Sequence, residues 1–111
     1  MYTVSRQGKV DVVRGDDPLK LDVIAAVQNV FVEVTANHQP HVVLDMAEMP
    51  LIDSAGLELL LDVRDVCLRR GGELKLASPN PLCRDILQMT GVAEKFAIFG
   101  DTLSAVGSFV R

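Results

Sequence analysis

The stretch His41-Val42-Val43-Leu44-Asp45-Met46 constrains the chain most. It is a short, continuous apolar run ended by a carboxylate, and it does not alternate, so it reads as a strand covered on both faces of a parallel sheet. Parallel neighbours cannot be joined by a tight turn; each pair needs a crossover of about a dozen residues or more, usually a helix. Helices are therefore expected between the strands, with Asp45 near the sheet's carboxyl edge.

The remaining sequence meets that demand. Tyr2 to Arg6 and Val10 to Arg14 are β-rich runs parted by Gln7-Gly8-Lys9, which predicts two antiparallel strands and a tight turn. Gly15-Asp16-Asp17-Pro18 breaks the pattern, and Ile24, Val27, Val30, Phe31 and Val34 then recur at helical spacing. From Ser54 to Arg70, Leu57, Leu60, Leu61, Val63, Cys67 and Leu68 form an apolar stripe opposite Glu58, Asp62, Asp65 and Arg69. Gly71-Gly72 ends that helix.

Glu73 to Ser78 alternates as a strand, and Asn80-Pro81 supplies an N-cap with proline at the first helical position. That helix runs to about Thr90, Phe96 to Phe99 is a last short strand, and Asp101 caps a final helix through Leu103, Val106 and Phe109. The order is ββαβαβαβα. The expected class is α/β: a mostly parallel sheet of four to five strands, an antiparallel first strand and about four helices.

At 111 residues the chain suits a single domain over residues 1–111, and 49% hydrophobic content provides ample core. A net charge of −4 without a Lys/Arg cluster argues against nucleic acid as a partner. No run approaches a membrane span or a secretory signal, so a cytoplasmic location is expected. Cys67 and Cys83 lack companion ligands and read as reduced core thiols.

In such a sheet function gathers at the strand carboxyl ends, here Gly15 to Pro18, Asp45 to Ser54 and Ser78 to Pro81. A serine hydrolase is excluded, because Ile52 stands where its elbow motif needs glycine and both histidines, His38 and His41, lie upstream. These histidines lack the partners of a metal shell, and no metal or other cofactor is expected. Asp16, Asp17 and Asp45 echo the carboxylates of response-regulator receivers, but fewer than 30 residues separate Asp17 from Asp45, room for one crossover rather than two.

Taken in order, Leu44-Asp45, Ile52-Asp53-Ser54-Ala55-Gly56-Leu57, Gly71-Gly72, Pro79 and the Leu87 to Gly91 helix end resemble the STAS family, specifically the bacterial anti-sigma factor antagonists. The likeness covers nearly the whole chain. It implies a STAS-like fold and a binding module without catalysis of its own. The implied partner is an anti-sigma factor with serine kinase activity, which would phosphorylate Ser54; a PP2C-type phosphatase would reverse this. The residues it marks for partner contact are Asp45, Pro50, Asp53, Ala55 and Gly56, with Gly15 and Asp17 on one neighbouring loop and Pro79 on the other. The alternative within the family is a scaffold or accessory subunit of a stressosome-like or lipid-transport complex.

This chain departs from the family pattern twice. Asp53-Ser54-Ala55-Gly56 replaces Asp-Ser-Ser-Gly, leaving one candidate hydroxyl, and Gly15-Asp16-Asp17-Pro18 retains only the glycine of Gly-x-Leu-Asp. The competing explanation for the hydroxyl is mechanical, since Ser and Asp are both favoured helix N-caps and either Asp53 or Ser54 could serve as one. Gly56 is likewise open to two explanations, close approach by a partner's backbone or tight packing against the sheet.

Overall fold

The computed structural model describes residues 1–36 and 38–110. Its elements follow the expected order: β1 (Tyr2–Gln7), β2 (Val10–Gly15), α1 (Ile24–Thr35), β3 (His41–Asp45), α2 (Ser54–Arg69), β4 (Glu73–Ala77), α3 (Pro81–Met89), β5 (Ile98–Phe99) and α4 (Thr102–Gly107). Single 3-10 turns precede α1, at Leu21–Val23, and follow α3, at Val92–Lys95.

The five strands lie side by side in chain order. β1 runs antiparallel to β2, and every later pairing is parallel, with Val13 beside Leu44 and Leu44 beside Leu76. Each crossover steps one strand in the same direction, so right-handed connections put α1, α2 and α3 on one face. Strand alternation then divides the core. Val13, Val42, Leu44, Leu74 and Leu76 meet the three helices, while Val10, Val12, Val43 and Ala77 meet Ala105 of α4 on the other face.

This two-sided burial is why β3 reads as an unbroken apolar run. It also explains α1, whose β-branched residues are weak helix formers: burial of Val27, Phe31 and Val34 holds it in place, at about 1.5 to 3 kcal/mol for each large side chain fully removed from water. Gly71 takes the left-handed conformation at φ +78°, which ends α2 as expected.

Three expectations need correction. Leu68 is 47% exposed, whereas Leu59, absent from the predicted stripe, is buried in a groove shared with Phe31. The stripe follows the sheet alone, and α2 must also pack against α1. The predicted strand Phe96 to Phe99 shrinks to Ile98–Phe99, because the chain coils through Val92–Lys95 after a left-handed Gly91. The final helix contains Leu103 and Val106 as expected, but Phe109 lies beyond α4, and the buried anchor of that short helix is Ala105.

Candidate functional site

Three loops meet at the carboxyl ends of β2, β3 and β4. The first two are sewn together as a short continuation of the sheet, a parallel bridge between Leu19 and Ile52. The Leu19 N–H donates to the Leu51 carbonyl at 2.9 Å, and the Asp53 N–H donates to the Leu19 carbonyl at 3.1 Å. Both Leu19 and Ile52 are buried, so apolar contact secures the same junction.

Asp53 is the N-cap of α2. One carboxylate oxygen accepts from the Gly56 N–H at 2.9 Å, and the other accepts from the Leu21 N–H at 3.0 Å on the neighbouring loop. Those two donors, Gly56 first, hold its carboxyl below the usual carboxylate range. Ser54 is therefore the first residue of α2 rather than its cap, and it is exposed. An open depression lined by Lys20, Leu21, Asp22 and Asp53 borders it. A second shallow concavity continues along α1 and α2 past Ile24, Ala55, Glu58 and Asp62.

Gly56 is buried, and a Cβ there would lie 2.4 Å from the Leu19 carbonyl oxygen. Internal packing against the first loop accounts for the glycine. The site's other marked residues divide by exposure. Pro50 is exposed, and Asp53, Ala55, Asp17 and Pro79 are half-buried, so these and Ser54 line the rim. Gly15 and Asp45 are buried with Gly56, so they shape the rim from beneath rather than lie on its surface. A Cβ on Gly15 would collide with the Tyr2 ring at 2.1 Å.

Asp45 accepts from the Arg14 Nε at 2.8 Å and from the Ala47 N–H at 3.0 Å. Burial pushes its carboxyl up, but the Ala47 N–H, the Arg14 guanidinium and the Thr102 hydroxyl together hold it below the ordinary value. On the far side of the rim Asn80 caps α3, accepting from the Cys83 N–H at 2.7 Å. Its amide also donates to the Met49 and Pro50 carbonyls at 3.1 and 3.2 Å.

Among the described residues, no three His, Cys, Asp or Glu side chains are placed to hold a metal ion, and no helix is long and apolar enough to cross a membrane. The rim is built from three loops and the starts of α2 and α3.

The family model for the STAS domain matches residues 2–105. The chain belongs to the STAS domain family. This STAS domain is 27% identical over 66 residues to an anti-sigma F factor antagonist of Paenibacillus polymyxa, a match spanning 60% of this chain and 56% of that protein. Its fold superposes on an anti-sigma factor antagonist from Mycobacterium paratuberculosis with a TM-score of 0.90 at 19% identity, covering 100% of this chain and 94% of that one. It also superposes on the phosphorylated form of the Bacillus cell fate determinant SpoIIAA, with a TM-score of 0.72 at 16% identity over the full length of both.

Sequence reasoning missed two contributors to the rim of this STAS domain and the second role of a third. Leu19 and Arg14 carry no motif, and their importance comes from the register that sets them beside Ile52 and Asp45. Asn80 was legible as a cap, but its second contact joins positions 30 residues apart in the chain.

Proposed function

We propose that this STAS domain is an anti-sigma factor antagonist that binds an anti-sigma factor with serine kinase activity through the rim around Ser54. Phosphorylation of Ser54 by that partner ends the association, and a PP2C-type phosphatase restores it. The module has no catalysis of its own and acts in the cytoplasm, where releasing a sigma factor regulates transcription.

One observation carries this reading: Ser54 stands exposed at the first position of α2 while Asp53 supplies the cap. The helix does not need the hydroxyl, so a mechanical explanation for Ser54 is lost. The position also suits the chemistry. A phosphate adds about −1.5 to −2 charges at the positive end of the helix dipole, an arrangement worth about 0.3 to 1 kcal/mol. The fold therefore tolerates modification. An interface does not, because the new dianion joins Asp22, Asp53 and Glu58 and must be desolvated on docking; each 1.4 kcal/mol lost there costs about tenfold in affinity.

The test incubates the purified protein with Mg-ATP and the anti-sigma factor kinase encoded in the same genome, comparing wild type, Ser54→Ala and Ser54→Asp. The expected result is one phosphate on wild type, removed by a PP2C phosphatase, and none on either variant. Alanine should retain kinase binding and aspartate should lose it. Equal binding by all three, with no phosphate on wild type, would overturn the switch and favour a scaffold subunit.

A further inference from the structure

We infer that Asn80 is a positioning residue for Ser54: through its amide it holds the loop between β3 and α2 in the shape a kinase must recognise. This inference rests on reading Ser54 as the phosphoacceptor. Asn80 lies on a different loop, 26 positions further along the chain, and the family likeness marks its neighbour Pro79 instead.

The geometry assigns each end of the side chain a separate task. The Oδ1 atom accepts from the Cys83 N–H at 2.7 Å and so caps α3. That contact fixes the amide's orientation, because only an oxygen can accept there. The Nδ2 atom is consequently aimed at the loop, where it donates to the Met49 carbonyl at 3.1 Å and the Pro50 carbonyl at 3.2 Å. The Cys83 thiol adds a weaker contact to the Met49 carbonyl at 3.6 Å. Burial raises the pKa of that thiol, which keeps it protonated and able to donate.

The loop is thus held from both sides. Leu19 grips its C-terminal half through Leu51 and Asp53, and Asn80 grips its middle. Met49 is fully buried, its N–H donating to the Met46 carbonyl, so this central turn is the part that Asn80 pins. Pro50 has no N–H to anchor itself. Without the amide, the stretch between the Met49 turn and the Asp53 cap keeps only the Leu19 contacts and the weak Cys83 thiol contact at Met49, and the approach to Ser54 varies in shape.

Asn was needed for this double duty. Ser or Asp caps a helix as well, but neither supplies an NH₂ group to donate to two carbonyls. The same fact separates the roles experimentally. Asn80→Ser and Asn80→Asp keep an acceptor for the Cys83 N–H; both remove the latch, and aspartate also sets an anionic oxygen against two carbonyl oxygens.

Hydrogen exchange followed by NMR on the free wild type and both variants tests the first half. Exchange at the Met49 and Asp53 amides should accelerate at least tenfold in both variants, with the Cys83 and Leu87 amides unchanged. Initial rates of phosphorylation by the same-genome anti-sigma factor kinase test the second half: kcat/KM should fall at least tenfold, mainly through KM. Unchanged Met49 exchange, or equal acceleration at Met49 and Cys83, would overturn the positioning role. So would faster loop exchange with wild-type phosphorylation kinetics. Failure of the wild type to be phosphorylated would instead remove the reading of Ser54 and, with it, the link from Asn80 to the kinase, while the exchange data would still report the latch.

Discussion

Asp53 and Leu21, 32 residues apart, are joined by a 3.0 Å hydrogen bond from the Leu21 N–H to the Asp53 carboxylate. The oxygen not used for the cap of α2 thus ties the helix start to the loop after β2.

This division of labour separates two adjacent substitutions. Ser54→Ala removes an exposed group outside the cap and is expected to change stability by no more than about 0.5 kcal/mol. Asp53→Ala removes both the cap and the tie to Leu21, and its thermal midpoint should fall by clearly more. Because the Asp53 carboxyl titrates below its unfolded value, its contribution is present above about pH 4 and is lost as pH falls through the folded pKa. The gap between wild type and Asp53→Ala in urea denaturation should therefore be full at neutral pH and narrow on acidification.

Gly56→Ala sets two effects of opposite sign against each other. Alanine is the better helix former by about 1 kcal/mol. Its Cβ, however, would lie 2.4 Å from the Leu19 carbonyl oxygen and 2.8 Å from the Ile52 side chain, and the nearer atom belongs to backbone held by the bridge. Overpacking of this kind costs about 1 to 3 kcal/mol, so net destabilisation is expected. A urea midpoint shifted downward with unchanged slope would confirm it; an upward shift would mean the loop yields freely.

These sites explain how legible the chain was. Local signals located the strands and the cap positions, because alternation, helical spacing and N-cap chemistry are written in neighbouring residues, as at Asn80-Pro81 and Asp101. Contacts between loops are not local. The Leu19 bridge to Ile52, the reach of Asn80 to Met49 and the burial of Leu59 against α1 depend on strand order and helix packing, which no single segment encodes. The choice between Asp53 and Ser54 as cap was undecidable for a related reason: adjacent residues of equal capping strength differ only in which has the extended backbone of a cap, and here that is Asp53 at φ −99° and ψ −175°.

Arg14 and Asp45 pair across β2 and β3 with a 2.7 Å contact, the carboxylate buried and the guanidinium half-exposed. Removing the cation in Arg14→Ala leaves burial opposed only by the Ala47 N–H and Thr102, so the Asp45 pKa should rise. In wild type the depressed carboxyl contributes stability above its unfolded pKa, and this is lost as pH falls through the folded one. Arg14→Ala is accordingly expected to cost about 1 kcal/mol at pH 7, discounted for the exposed partner, with the deficit shrinking in acid. Carboxyl-detected NMR titration of Asp45 in both proteins checks the direction; an unmoved midpoint would mean that Arg14 does not hold the carboxylate.

Phe109 closes the face of the sheet opposite the three long helices. Its ring stacks on His41 at 4.9 Å between centroids and 17° between planes, and the Lys75 ammonium lies 4.0 Å from the ring centre while donating to the Ser108 hydroxyl at 2.7 Å. Lys75 is only 8% exposed, an unusual state for a lysine, and the aromatic face with one hydroxyl replaces part of its lost hydration. Phe109→Ala removes the lid and lets water reach the ammonium, which offsets part of the lost packing. A cost of about 1 to 2 kcal/mol is expected, below the 3 to 5 typical of a fully enclosed phenylalanine. Phe109→Leu fills much of the volume without a π face, so it should restore packing but not the cation contact. If urea denaturation places Phe109→Leu level with wild type, the ring acts by bulk alone; a remaining deficit that disappears on a Lys75→Met background would assign it to the ammonium.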